Sequence, residues 1–166
     1  MEYQDFREDD VFSMKGTTRI WSEREVEVGL DLNDERGKRE QVLRYLDAIN
    51  AQLDWIIANR AVIADMLVKS GMLTLAEDWI SGAEELDAEN AEIYRLEDGT
   101  EVALPLPEKT FRDSLRMEGI TIDLTGGREN MSTQLFLFCD PDYFAGHSIL
   151  LNIEADGTME CLGLAG

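Results

Sequence analysis

Apolar residues at every second position predict strands in the C-terminal part of the chain. Ile149, Leu151 and Ile153 alternate with a second set of positions, Leu150, Asn152 and Glu154, so this strand has one dry face and one partly wet face. The preceding stretch, 135–139, is apolar at every position, which predicts an interior strand covered on both faces. Asp156-Gly157 and Asp98-Gly99 each lie between apolar segments and predict hairpin turns.

A helical period replaces this alternation over residues 35–82. Apolar residues spaced three and four apart predict one long helix, or two helices joined near Asn50. Asn33 or Asp34 suits its N-cap. A second helix is predicted from Met72 to about Ser81, before Gly82.

These elements predict an α+β fold. We expect an antiparallel sheet, mostly a C-terminal meander from residues 117–164, with the helices of residues 35–82 packed as a layer on one face. No internal repeat or long linker divides the chain, so residues 1–166 are interpreted as a single domain.

The net charge of the chain limits the classes of partner that it can bind. The chain has 166 residues, with 15 lysines and arginines against 35 aspartates and glutamates, a net charge of −20. This sign disfavours nucleic acid and anionic membranes, which are held by basic residues, and favours a basic protein or a cation. The acidic start lacks the pattern of a secretory signal, no apolar run is long enough for a bilayer, and Cys139 and Cys161 are interpreted as reduced thiols. We therefore expect a cytoplasmic protein.

The acidic excess is concentrated in residues 71–101, which hold ten acidic residues and one basic residue. Its densest part lacks the alternating oxygen ligands and central glycine of a calcium loop. Such a segment is either a solvated surface or a docking face for a cationic partner. The candidate residues for this acidic face are Glu84, Glu85, Asp87, Glu89 and Glu92.

A second candidate site is the polar loop between the strands that contain residues 135–139 and 149–153. Asp140, Asp142 and the single histidine, His147, could bind a divalent metal or act as acid and base. Alternatively, the aspartates cap the turn and His147 makes a structural hydrogen bond between neighbouring strands. No cofactor or resident metal is predicted.

The pattern Phe144-x-Gly146-His147-Ser148-Ile149, with Asp140 before it and Gly157 after it, resembles the bacterial family called domain of unknown function 2262. The likeness extends upstream through a similar order of features: Trp21, the long helical stretch to Leu67, Trp79, Phe111 and the strand at Ile120. The resemblance implies no assigned activity. It suggests small acidic bacterial proteins, some encoded near toxin systems, and thus an inhibitor role by association.

Three functional hypotheses follow. The first is a non-enzymatic acidic binding protein, including an immunity-type inhibitor of a basic protein or toxin. The alternative is a small metal-binding or hydrolytic domain that uses Asp140, Asp142 and His147. The third is a dimeric structural module, and the sequence leaves the oligomeric state open.

Overall fold

Ten strands and four helices form in the part of the chain that the computed structural model describes, residues 1–21, 24–33, 37–86 and 92–166. The strands are β1 (Arg7–Asp10), β2 (Ser13–Arg19), β3 (Glu25–Asp31), β4 (Glu84–Leu86), β5 (Glu92–Arg95), β6 (Glu101–Leu104), β7 (Leu115–Asp123), β8 (Ser132–Cys139), β9 (Ser148–Ile153) and β10 (Met159–Ala165). The helices are α1 (Lys38–Ala58), α2 (Arg60–Lys69), α3 (Met72–Ser81) and α4 (Glu108–Ser114). None of these helices combines the length and the apolar character that crossing a bilayer requires.

The strands form two sheets. The large sheet has the order β1-β2-β3-β7-β8-β9-β10, and the small one has the order β4-β5-β6. All pairs are antiparallel except β3 with β7, which run parallel in the middle of the large sheet. The C-terminal meander and the hairpins at Asp98-Gly99 and Asp156-Gly157 agree with the sequence pattern. The parallel pair was not predicted, and the helices and the small sheet lie in the crossover that it requires.

One face of the large sheet is buried. Alternate residues of its central strands, such as Val28, Ile122 and Leu137, are fully buried and share a core with the helix residues Ile56 and Ile63. The opposite positions of β3 are solvated. This arrangement of a mostly antiparallel sheet with helices confirms the α+β class.

The second face of β8 differs from its prediction. Leu135 and Leu137 are fully buried, but Phe136 and Phe138 are partly exposed. Phe136 pairs across the sheet with Leu150, and the guanidinium carbon of Arg24 lies 5.8 Å from the centre of the Phe138 ring. Neighbours on the same face therefore shield these rings in place of the expected second layer.

The helical stretch is interrupted later than the expected position. Asn50 lies inside α1, where its side-chain amide donates to the Met1 carbonyl oxygen at 2.9 Å. The helix ends instead at Asn59, whose side-chain amide and backbone N–H both donate to the carbonyl oxygen of Trp55. An asparagine side chain that competes for backbone acceptors is a common cause of such a break.

The N-cap prediction at Asn33 was wrong, and Asp34 lies outside the described residues. α1 begins at Lys38, after Gly37 in the left-handed conformation (φ +86°). Asn33 instead donates its side-chain amide to the carbonyl oxygen of Thr125 at 3.0 Å. The buried Lys38 donates to the carbonyl oxygen of Asp10 at 2.5 Å, which ties the start of α1 to β1.

Trp21 joins the end of β2 to the helices. Its indole N–H donates to the carbonyl oxygen of Ile56 at 3.0 Å, and the Arg60 guanidinium lies 5.6 Å from the centre of the indole ring. Arg60 also donates to the carbonyl oxygen of Leu115 at 2.9 Å. Trp21 is therefore a packed anchor.

Candidate functional site

The β8–β9 loop is built around the carboxylate of Asp142. One oxygen accepts the backbone N–H of Phe144 at 3.1 Å, and the other accepts that of Gly146 at 2.7 Å. Gly146 follows Ala145, and both have positive φ (+83° and +50°), a conformation that glycine adopts readily. Asp142 thus caps the turn, which is the structural interpretation offered for it above.

His147 closes the same loop. Its Nδ1–H donates to the carbonyl oxygen of Phe144 at 2.9 Å, so this hydrogen bond lies within the loop and does not join neighbouring strands as expected. The ring meets the indole of Trp79 edge to face, with centroids 5.1 Å apart. Trp79 also contacts the buried Phe144, with centroids 6.0 Å apart. The loop and α3 are therefore packed together through aromatic rings.

Asp140 has a different role from Asp142. Its carboxylate lies 3.7 Å from the Arg116 guanidinium on β7 and is largely exposed. Its backbone N–H donates to the carbonyl oxygen of Ser114. The side chain of Asp140 is not a turn cap, and the expectation that both aspartates cap the loop was half right.

A polar cleft of about 290 Å³ brings the three candidate loop residues together. Asp140, Asp142 and His147 all line it, together with Arg24, Asp98, Phe138, Gly146, Ser148 and other neighbours. The Ser148 hydroxyl donates to the carboxylate of Glu118. Hydrogen bonds from Thr100, and a smaller contribution from the backbone of Asp142, lower the pKa of Asp98. Within the described residues, no three His, Cys, Asp or Glu side chains are grouped in a way that could hold a metal ion.

A larger cleft, of about 550 Å³, is also lined by Asp142. We call it the Trp79 cleft. Residues of α3 and its C-terminal end, of the β5–β6 hairpin and of the β8–β9 loop contribute to it. They are Leu75, Asp78, Trp79, Gly82, Ala83, Leu96, Glu97, Asp142, Tyr143 and Ala145.

The acidic segment does not form one face where the structure describes it. Glu84 of β4 is paired with Arg95 of β5, and cross-strand partners share a face of a sheet. Glu85 pairs with Tyr94, so Glu85 and Glu92 lie on the opposite face. Glu84 also forms an ion pair with Arg95 at 3.3 Å, and Arg95 forms another with Glu101.

The remaining predicted members of that face, Asp87 and Glu89, lie outside the described residues. Glu85 and Glu92 are exposed and contribute, after burial, to a raised pKa of Tyr94. A concerted role for all five acidic residues stays a prediction.

Apart from Asp142, sequence reasoning missed the residues that line the Trp79 cleft. Asp78 and Trp79 follow the helical pattern of α3, and Glu97 stands in a turn signal. Each of these residues fits a short-range sequence pattern, but no such pattern indicates that α3, the β5–β6 hairpin and the β8–β9 loop converge in the fold. Trp79 resembled an ordinary apolar anchor on one side of the helix.

Two carboxylates meet away from both clefts. Asp31 and Asp123 are paired in register at the ends of the parallel strands β3 and β7. Partial burial, followed by repulsion from Asp123, raises the pKa of Asp31.

Both cysteines are free thiols, as expected. Cys139 is buried beside the β8–β9 loop, and burial raises its pKa to about 12. Cys161 on β10 is partly exposed.

Comparison with known proteins identifies the family of the chain. No curated protein and no solved structure matches it. The model of one family, described as an uncharacterized protein conserved in bacteria (DUF2262), matches residues 5–164. This match spans nearly the whole sequence and agrees with the likeness seen around Phe144–Ile149. The chain therefore belongs to the DUF2262 family of uncharacterized bacterial proteins.

Proposed function

We propose that this chain is a non-enzymatic binding protein that associates with a basic protein. The observation that carries the proposal is the Trp79 cleft, where Asp78, Glu97 and Asp142 converge from three separate elements. Among its described lining residues there is no lysine or arginine. A concave surface lined by charges of one sign concentrates the field and attracts ligands of the opposite sign.

The overall charge of −20 acts in the same direction. Charge of this kind mainly accelerates association and selects partners. Because exposed charges are screened by salt, association should become slower as salt is added. We further propose an immunity-type inhibitor of a basic toxin as the specific form of this function, an idea that the resemblance noted in the sequence carries by association alone.

The test begins with the full chain immobilised and exposed to extract from its source cell at low salt. Retained proteins are identified by mass spectrometry, purified and measured for association rate at about 0.05 M and about 0.5 M salt. We expect a basic partner whose association rate falls at least about tenfold over this range. A rate that stays constant, or retained proteins that are all acidic or neutral, would contradict the proposal.

The alternative function is metal binding or hydrolysis at the polar cleft. It is favoured by one observation, the convergence of Asp140, Asp142 and His147 on that cleft. However, the Asp142 oxygens already accept two backbone hydrogen bonds, and Nδ1 of His147 is engaged with Phe144. Calorimetry with Zn²⁺ and Mn²⁺ on the wild type and His147→Ala separates the possibilities. Heat that the substitution abolishes would support the alternative, and equal heats would exclude His147 as a ligand.

A further inference from the structure

The Trp79 cleft has the size and composition of a binding pocket. Its volume of about 550 Å³ is within the range of small-molecule sites, which are mostly apolar with a few converging polar groups. Leu75 and Trp79 of α3 are partly exposed and supply its apolar surface, while Leu96 and Tyr143 also line it but are almost fully buried. Such a cleft can hold one long side chain and the residue next to it.

Carboxylates complete the chemistry of the cleft. Asp78 and Glu97 are exposed, and Asp142 is half-buried, so the charges stand where apolar surface meets solvent. This arrangement suits a side chain with an apolar stem and a cationic end, as in lysine and arginine. The polar cleft is less suitable for a cation because Arg24 lines it.

Trp79 favours the guanidinium of arginine over the ammonium of lysine. Its indole is held edge to face by Phe144 at 6.0 Å and by His147 at 5.1 Å, so the ring is positioned before a ligand arrives. Tryptophan is the best aromatic partner for a cation, and a planar guanidinium can stack on it. A guanidinium also forms paired hydrogen bonds with carboxylates, which an ammonium cannot do.

We propose that the Trp79 cleft is an arginine-recognition pocket that receives one arginine side chain, with an apolar neighbour, from the basic partner protein. This proposal rests on the proposed function and adds the chemistry of the contact. The other acidic region is less suited, because Glu84 there already forms an ion pair with Arg95.

The test uses the full ¹⁵N-labelled chain and three blocked tripeptides, Leu-Arg-Leu, Leu-Lys-Leu and Leu-citrulline-Leu. Citrulline has nearly the shape of arginine without its charge. The three indole N–H signals, from Trp21, Trp55 and Trp79, are assigned by single replacement with phenylalanine. Trp21 and Trp55 then serve as internal controls, since neither lines the cleft.

We expect the Trp79 signal to shift and saturate with the arginine peptide at about millimolar concentration, because a tripeptide makes few contacts. Binding of the lysine peptide should be at least about fivefold weaker, and the citrulline peptide should leave the signal unchanged. Glu97→Gln should raise the Kd at least about fivefold. The matched control Glu84→Gln removes the same charge elsewhere and should change it less than about twofold.

A Trp79 signal that stays unmoved, or that moves equally with citrulline, would overturn the pocket. If the signals of β4 and β5 move while Trp79 does not, the pocket fails but a basic partner at the acidic segment survives. If the arginine peptide moves no signal and the extract yields no basic partner, both the pocket and the proposed function fail.

Discussion

The Oδ2 atom of Asp142 accepts the backbone N–H of Gly146 at 2.7 Å, which fixes the loop that lines both clefts. Asp142→Ala removes this acceptor and the one for Phe144, leaving backbone donors without their partner. We expect the free energy of unfolding to fall by about 2 kcal/mol, measured by urea denaturation. Asp140→Ala is the matched control and should cost less than about 0.5 kcal/mol, because its contact with Arg116 is exposed. Equal losses in the two variants would contradict the capping role.

The two thiols should differ in reactivity. At pH 8 the buried Cys139, with its pKa raised to about 12, is almost entirely protonated, whereas Cys161 is partly exposed. Because the thiolate is the reactive form, a disulfide reagent should modify Cys161 first and Cys139 at least about a hundredfold more slowly. Unfolding should remove the difference. Cys161→Ser should abolish the fast phase, and a fast phase that persists in this variant would refute the assignment.

Asp31→Asn should stabilise the protein at neutral pH. The pKa of Asp31 is raised in the folded state, so its protonated form is favoured there and its ionised form is penalised. That penalty appears as pH rises through the folded pKa and is absent well below the unfolded value. We expect a gain of about 0.5 kcal/mol at pH 7, because the group is partly exposed, and almost none at pH 3.

The control for that prediction is Asp54→Asn on the exposed side of α1, which removes the same charge from a protein of net charge −20. Thermal unfolding of both variants at the two pH values separates a general charge effect from a local one. A gain at pH 7 that is the same in both variants would show that pairing with Asp123 is unimportant.

The indole of Trp21 should contribute more to stability than that of Trp55. Trp21→Phe loses the hydrogen bond to Ile56 and weakens the contact with Arg60, for an expected cost of about 1 to 2 kcal/mol. Trp55→Phe removes a partly buried indole that takes part in neither of these two contacts, so the free energy of unfolding should fall less in this variant. Chemical denaturation ranks the two variants. The reverse order would show that packing at Trp55 outweighs the hydrogen bond of Trp21.

Local patterns predicted much of the fold. The alternation at Ile149–Ile153, the spacing over α3 and the two Asp-Gly turns are short-range signals, and the structure contains the corresponding elements. The break at Asn59 was missed because the apolar stripe, although interrupted at Asn59 and Arg60, resumes at Ile63, and the side chain that ends the helix gives only a weak signal. The parallel pairing of β3 with β7 depends on partners far apart in sequence, which periodicity does not reveal.

The candidate site also contains residues that could be predicted from short-range patterns and residues that could not. Asp140, Asp142 and His147 are close in sequence, so their shared cleft could be anticipated. Trp79 and Glu97 reach the loop from other elements, and their proximity to it depends on tertiary packing. The acidic segment shows that adjacency in sequence does not ensure a shared face. Because side chains alternate across a strand, Glu84 and Glu85, which are adjacent in sequence, point to opposite faces.

The parallel pairing of β3 with β7 also has a consequence during synthesis. While residues up to Ser114 are emerging from the ribosome, β3 has β2 on one side and a bare backbone edge on the other. Exposed edges of this kind promote pairing between chains. The open edge of β3 is therefore covered only after β7 has been translated. A nascent chain that stalls before β7 exposes this edge to β-pairing with neighbouring chains on the same polysome.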